Sequence, residues 1–204
     1  TNVNQQTANT GVTATASTQA ELKFAAAGAY SLTLQSDNST AQTLSFAITA
    51  TTGSDGLAAA ISAINDQTSK TGVIATLNSA ATGIVLTNSS GSDIAVGDTG
   101  VAGADAGNVT LQKLYTNTSG SVTTAGTVRT LTGGTNATVD VVNVSGYITL
   151  DSSKSFSATA TTTNCTTVSF RKRRLATSLF WAFASRVITM DVQRYVTKLV
   201  TCPK

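Results

Sequence analysis

The sequence predicts an α+β fold that is mostly β: small antiparallel sheets, each covered by a short helix, in a nested arrangement of β-β-α-β-β units. Three observations predict this class. Segments of apolar–polar alternation are separated by turn-forming residues. One amphipathic segment lies between two pairs of such strands. The composition is rich in hydroxyls, with 39 Thr among 204 residues, one Pro and only 11% charged residues.

The first pair of predicted strands forms a hairpin. Apolar side chains alternate with polar ones over residues 30–35 and again over 44–49. Residues 36–40, SDNST, separate them and are typical of a turn. The pattern points Tyr30 and Phe46 toward a core.

The segment after the hairpin has helical spacing. Leu57, Ile61 and Ile64 follow at i, i+4 and i+7 and form one face. Ser54 or Asp55 is expected to cap its start, and Gly72 to end it in a left-handed conformation. Further strands are predicted at 73–77, 84–86 and 93–96, then at 109–115, 127–132 and 138–144.

An internal repeat reveals a modular organisation. Residues 3–15 recur 61 positions later as residues 64–76, with eight of thirteen identical. The first copy lacks what precedes the second, so we expect the chain to begin within a module. Residues 146–153 also echo residues 82–90, which are the closing strand of the complete unit.

These echoes predict a nested domain arrangement. An interrupted first domain combines residues 1–24 with 146–160. Residues 25–145 form an inserted domain, whose complete unit spans 29–96. Residues 161–204 form a basic and apolar tail, which is expected to be foreign to the fold because rare residue types are concentrated there.

The helix-to-strand part of the repeat resembles a known motif. Three segments are together similar to the flagellin hook IN motif, which is named for its Ile-Asn pair, here Ile64-Asn65. They are AAAGAYSLTLQ, a helix ending in AINDQTSKTGVIATL, and GIVLTNSSG. The first copy has Val3-Asn4 instead. The resemblance covers roughly residues 1–160 and implies the variable outer part of a bacterial flagellin.

The resemblance carries functional expectations. It implies an extracellular structural protein on the bacterial flagellum that contacts neighbouring flagellin subunits, carries surface glycans, and has no cofactor, catalysis, nucleic acid or small-molecule substrate. Alternative parents are a flagellar cap or hook-associated protein. The other class considered is an extracellular binding module, such as an adhesin or a carbohydrate-binding domain.

The residues alone offer few chemical sites. The chain has no His, which removes the commonest general base. Asp98-Thr99-Gly100 matches the aspartic-protease triplet, but a turn is the expected structure because that chemistry needs two carboxylates. Asp93, Asp98 and Asp105 are candidate Ca²⁺ ligands whose spacing fits no known loop.

The remaining candidates are weaker. Gly133-Gly134 lacks the context of a phosphate loop. Sequons at Asn38, Asn88 and Asn136 are expected by chance in this composition. Of the aromatic residues, Tyr147 is expected to face inward, which leaves Tyr115 as the poor remainder for stacking on sugars.

The tail has two competing interpretations. Arg171–Arg174 is a basic cluster, and the segment beyond it has an apolar helical face. That face comprises Leu175, Leu179, Phe183, Val187 and Met190. It indicates either a membrane-surface or partner-binding helix, or a tail that does not belong to the fold. Cys165 and Cys202 leave one disulfide or two free thiols equally open.

Overall fold

The computed structural model describes residues 2–101, 103–117, 120–133, 139–156 and 170–172. Their helices are α1 (Asn2–Gln5), α2 (Thr7–Thr10), α3 (Ser54–Asn65) and α4 (Thr68–Thr71). Their strands are β1 (Val12–Phe24), β2 (Gly28–Gln35), β3 (Gln42–Ile48), β4 (Val73–Leu77), β5 (Ile84–Asn88), β6 (Ile94–Asp98), β7 (Val109–Thr116), β8 (Val122–Leu131), β9 (Val141–Val144), β10 (Tyr147–Ser152) and β11 (Phe170–Lys172).

The predicted fold class is confirmed: strands dominate and most pairs are antiparallel. The exception among the described pairs is β10 with β11, which are parallel. The chain divides into two compact units. Unit 1 contains residues 1–16, 116–122 and 147–204, and unit 2 contains residues 17–115 and 123–146. The predicted nested domain boundaries stay a prediction.

Unit 2 contains two sheets. In the first, β1 lies between β5 and β7, with β4 outside β5 and β8 outside β7. The second has the order β3-β2-β6-β9. The β-β-α-β-β order therefore runs along the chain as predicted, but its hairpin β2–β3 and its pair β4–β5 lie in different sheets.

Helix α3 packs against β3 and β4 and so contacts both sheets of unit 2. Leu57 and Ala60 are completely buried, and Ile64 is 2% exposed. Leu57 and Ile64 of the expected apolar helical face are therefore buried where the helix packs on the strands. Tyr30 and Phe46 of the second sheet stack on each other, and Phe24 of β1, in the first sheet, packs against both rings.

The predicted helix differs from the observed one at both ends. Gly53, with a φ of 85°, occupies the N-cap, and no side chain caps the helix; Ser54 instead donates to Asp55. The helix ends at Asn65, and α4 then forms a separate single turn. Gly72 caps α4 in the left-handed conformation, as predicted, with a φ of 68°.

The predicted strands are found, with altered bounds. The hairpin and the strand at 73–77 match the prediction. Strand β8 begins at Val122, earlier than the predicted residue 127. Strand β9 begins at Val141, later than predicted, and residue 138 of the prediction lies outside the described residues. Asp140 donates its backbone N–H to the Asp98 carboxylate and accepts from the Asp98 N–H.

Unit 1 contains α1, α2, the first residues of β1, and the strands β10 and β11. Tyr147 on β10 is 5% exposed, which agrees with the inward direction expected for it. Its hydroxyl accepts a hydrogen bond from the backbone N–H of Thr116. None of the described helices is long and apolar enough to cross a membrane.

Candidate functional site

The two copies of the repeat fold into the same local structure. Each copy contains a one-turn helix, α2 or α4, which ends at a left-handed glycine. The φ and ψ angles are 67° and 12° at Gly11, and 68° and 3° at Gly72. A strand starts directly after each glycine. The sequence identity therefore reflects a conserved conformation.

An asparagine in each copy binds the strand that follows. The Asn65 amide donates to the Ala75 C=O at 3.0 Å and accepts from the Ala75 N–H at 2.7 Å. In the first copy, Asn4 makes the same two bonds to Ala14, at 2.9 and 2.6 Å. In both copies the asparagine amide therefore binds the peptide groups of one residue in the strand that follows.

Two threonines complete the pattern. The Thr68 hydroxyl donates to the Val73 C=O at 2.7 Å, and the Thr71 hydroxyl accepts from the Val73 N–H at 3.2 Å. In the first copy, Thr7 and Thr10 make the corresponding bonds to Val12 at 2.7 and 3.2 Å.

These bonds close one edge of a strand. The N–H and C=O of one strand residue point to the same edge, so the groups of Val73 and Ala75 that bind these side chains face away from β5. We call Asn65, Thr68 and Thr71, and likewise Asn4, Thr7 and Thr10, the edge-capping motif. Its polar side chains take the place of a neighbouring strand. Without them, this edge would be open to pairing with another strand.

The two copies differ in their surroundings. Ile64 is 2% exposed, whereas the corresponding Val3 is 40% exposed. A Cβ on Gly72 would overlap the Asp37 carboxylate, while a Cβ on Gly11 would meet nothing closer than 3.8 Å. The second copy is therefore more tightly packed than the first.

A hydroxyl-rich cluster lies beside Gly72. The Ser90 hydroxyl donates to the Asp37 carboxylate at 2.8 Å, and Ser92 is within 3.0 Å of Ser90. Hydrogen bonds from Ser92 and Ser90 are the main causes that lower the pKa of Asp37. A carboxylate with a lowered pKa is a weak base, so this cluster is suited to holding the turn.

Asn88 joins this cluster from β5 and is fully buried. Its amide donates to the Ser36 hydroxyl at 3.0 Å and accepts from the Ser90 N–H at 2.8 Å. The sequon at Asn88 is therefore closed to a glycan in the folded chain. Asn38 lies in the turn after β2, and Asn136 lies outside the described residues.

The Asp98 triplet forms a turn. Asp98 is 4% exposed, and its carboxylate accepts from the Gly100 N–H at 2.9 Å and from the Asp140 N–H at 3.2 Å. The bond to the residue two positions on is an Asx-turn, which agrees with the turn expected from the sequence.

Asp105 is the second buried carboxylate of this region, at 7% exposure. It accepts from the Ser31 N–H at 2.7 Å. Burial is the largest cause that raises the pKa of Asp105, and the negative charge of Asp98 raises it further. Both carboxylates are thus tied to backbone N–H groups, and this anchors the loop between them.

The three candidate Ca²⁺ ligands are not brought together. Asp93 interacts with Lys113 and favours its charged form, whereas Asp98 and Asp105 interact with each other. Among the residues that the structure describes, no group of three or more carboxylate, Cys or His side chains has an arrangement that would hold a metal ion.

Lys113 is a polar site that sequence reasoning missed. It projects from β7 and donates to the Ser145 hydroxyl at 3.1 Å and to the Gly146 C=O at 3.4 Å. Burial lowers its pKa, and the charge of Asp93 opposes this. A lysine that donates to a carbonyl acts as an ammonium group, so the arrangement suits structural support better than activation of Ser145.

The other candidates make only local contacts, or lie outside the described residues. The Gly133 N–H donates to the Asn108 side chain, and Gly134 lies outside the described residues. Residues 170–172 form β11, so two residues of the basic cluster are in a strand. The predicted helical face at 175–190, Cys165 and Cys202 all lie outside the described part of the chain.

Two carboxylates with shifted pKa values, the buried Asp105 and the exposed Asp37, predict opposite responses to pH. Asp105 holds its proton to a higher pH in the folded chain than in the unfolded chain, so its ionisation costs stability as the pH rises above about 4. We expect Asp105→Asn to raise the melting temperature at pH 7, because the amide oxygen still accepts from Ser31. The gain should vanish near pH 3, where the carboxyl is neutral in both states.

Asp37→Asn is the matched control, because the pKa of Asp37 is lowered in the folded chain. Its stabilisation is present above the unfolded pKa and is lost as the pH falls through the folded pKa. We expect this variant to lower the melting temperature at pH 7, and to lower it progressively less as the pH falls toward 3. Scanning calorimetry from pH 3 to pH 7 measures both; equal losses at pH 7 would contradict the assignment.

Comparison with known proteins gave no match, either to a family model or to a curated protein.

Proposed function

We propose that this chain is a structural segment of a bacterial flagellin, from the variable region on the outside of the filament. The single observation that carries the proposal is the duplicated edge-capping motif. In the second copy this motif follows Ile64 directly and precedes a left-handed glycine and a strand, and these features support the resemblance to the flagellin hook IN motif at particular residues. The same hydrogen bonds occur in both copies.

The proposed role is mechanical. The polar side chains of the repeat bind peptide groups of adjacent strands. Asp98 accepts from the Gly100 N–H within its own loop, and Asp105 ties that loop to the Ser31 N–H of β2. Such residues specify a fold that projects from the filament, contacts neighbouring subunits and changes the surface. The proposed location is extracellular, on the flagellum.

The burial of aromatic side chains favours this role over a carbohydrate-binding module. Tyr30 is 2% and Tyr147 is 5% exposed, and Phe46 packs against the core. Sugar-binding platforms need exposed rings on which pyranose faces stack. None of these three rings offers such a platform.

Immunogold labelling in the source bacterium tests the proposal. Antibodies raised against residues 2–156 are expected to label flagella along the filament. An in-frame deletion of these residues is expected to abolish the label while filaments still assemble. Label confined to the cell body, or loss of filaments on deletion, would contradict the proposal.

A glycan array distinguishes the proposed structural role from the binding-module alternative. The purified chain is expected to give no sugar-specific signal above that of a Tyr115→Ala variant, since Tyr115 is the remaining aromatic candidate. Reproducible micromolar binding to one sugar, lost in that variant, would favour the module.

A further inference from the structure

We propose that residues 3–10 form a detachable strap on the edge of β1, which opens and recloses while the rest of unit 1 stays folded. The strap contains α2 and residues 3–5 of α1. In its closed state it covers the backbone groups of Val12 and Ala14. This inference does not depend on the flagellar assignment, because it follows from how differently the two copies of the repeat are anchored.

Four hydrogen bonds of the edge-capping motif tie the strap to β1. Asn4 binds both the N–H and the C=O of Ala14. Thr7 donates to the Val12 C=O, and Thr10 accepts from the Val12 N–H. Each such bond adds only a modest net stabilisation, whereas every residue of the strap loses conformational freedom when the strap closes. These bonds therefore hold the strap weakly.

The strap lacks an apolar anchor. None of its residues is buried, and Val3 is 40% exposed. In the second copy the corresponding Ile64 is 2% exposed, and Thr71, which corresponds to Thr10, is completely buried. Burying an aliphatic side chain stabilises a structure more than a typical hydrogen bond does. The second copy therefore has a hydrophobic attachment that the first copy lacks.

The second copy is also tied to neighbouring elements. The Asp37 N–H donates to the Thr71 C=O at 3.1 Å, and the Lys70 ammonium group donates to the Gln42 side chain at 3.2 Å. Helix α3, whose inner face is buried, leads directly into this copy. In the first copy, the described hydrogen-bond partners of the strap all lie within residues 2–14.

Gly11 is the pivot of the strap. It has a φ of 67°, and a Cβ placed on it would meet nothing closer than 3.8 Å. At the equivalent Gly72 a Cβ would overlap the Asp37 carboxylate, so packed neighbours hold that glycine in place. The chain can therefore turn at Gly11 without breaking a packed contact, whereas it cannot at Gly72.

Opening of the strap affects alternate residues of β1. The N–H groups of Val12 and Ala14 lose their partners when the strap leaves. The N–H of Thr13 points to the opposite edge of the strand, where β10 is the neighbour in the sheet. The Thr13 hydroxyl also donates to the Asp151 C=O at 3.3 Å on that side. The open state therefore exposes Val12 and Ala14 and leaves Thr13 protected.

Native-state amide hydrogen exchange of the 204-residue chain in low concentrations of urea tests the proposal. We expect the Ala14 amide to be protected, but to exchange at least about tenfold faster than that of Thr13 after correction for intrinsic rates. Its exchange is expected to be nearly independent of urea, because a local opening exposes little surface. In the second copy, Ala75 and Ile74 are expected to exchange equally, since both need unit 2 to unfold.

Thr7→Val removes one of the four bonds and is expected to speed exchange at Ala14 by about twofold to tenfold, with Thr13 unchanged. Thr68→Val is the matched control in the second copy, and it is expected to speed Ala75 and Ile74 together. Three results would each overturn the proposal. They are equal, urea-dependent exchange of Ala14 and Thr13, a urea-independent opening at Ala75, and a Thr7→Val variant in which Ala14 and Thr13 speed up equally.

Discussion

Gly72→Ala is expected to destabilise the chain by about 2–5 kcal/mol, because two costs combine at this position. A left-handed conformation costs an L-residue roughly 1–2 kcal/mol. The new methyl group would also overlap the Asp37 carboxylate and lie 3.1 Å from the Asn88 amide nitrogen. Moving Asp37 would disturb its bonds to the serine cluster, at a further cost of about 1–3 kcal/mol.

Gly11→Ala is the matched control that the repeat supplies. Gly11 has almost the same backbone angles, but its nearest neighbours would be Ser152 Oγ at 3.8 Å and Lys154 Cδ at 3.9 Å. We therefore expect only the conformational cost of about 1–2 kcal/mol. Urea titrations followed by amide resonances of each unit measure both changes. Equal costs for the two variants would show that the Asp37 contact is unimportant.

Leu57→Ala is expected to cost about 2–5 kcal/mol, toward the upper end of that range. Leu57 is completely buried on α3, which packs against β3 and β4. Truncation leaves a cavity between elements of two sheets, and neither sheet is free to collapse into it. The expected result is a lower urea midpoint for unit 2.

Ile74→Ala removes a large apolar side chain from an exposed position and controls for the change in composition. Ile74 is 50% exposed on β4, so its truncation is expected to cost less than about 1 kcal/mol. A Leu57→Ala variant with a loss as small as that of Ile74→Ala would show that α3 does not stabilise the unit.

The sequence was sufficient to predict elements whose signals are local. The hairpin and the strand at 73–77 were predicted correctly because alternation and a bounding turn or glycine coincide there. The start of β8 was missed because residues 122–126, VTTAG, show no alternation of apolar and polar residues. The helix start was misplaced because Ser54 and Asp55 are favourable caps by type, whereas Gly53 alone accepts a φ of 85°.

The contacts of the site were harder to predict because their partners are distant in sequence. The repeat points to Asn65, but it does not show that the Asn65 amide binds Ala75. Ala75 is ten residues from Asn65, and only the path of the chain after Gly72 brings the two together. Lys113 and Ser145 are 32 residues apart, and no pattern in the sequence connects them.

In both copies of the repeat, the Asn side chain binds the strand that follows it. Amide hydrogen exchange at Ala14 and Ala75 tests this most directly, in the unmodified chain and in the Asn4→Ala and Asn65→Ala variants. We expect both amides to be protected in the unmodified chain, with each variant losing protection only at its own strand. An Ala75 amide that stays fully protected in Asn65→Ala, or an Ala14 amide that exchanges freely in the unmodified chain, would contradict the account.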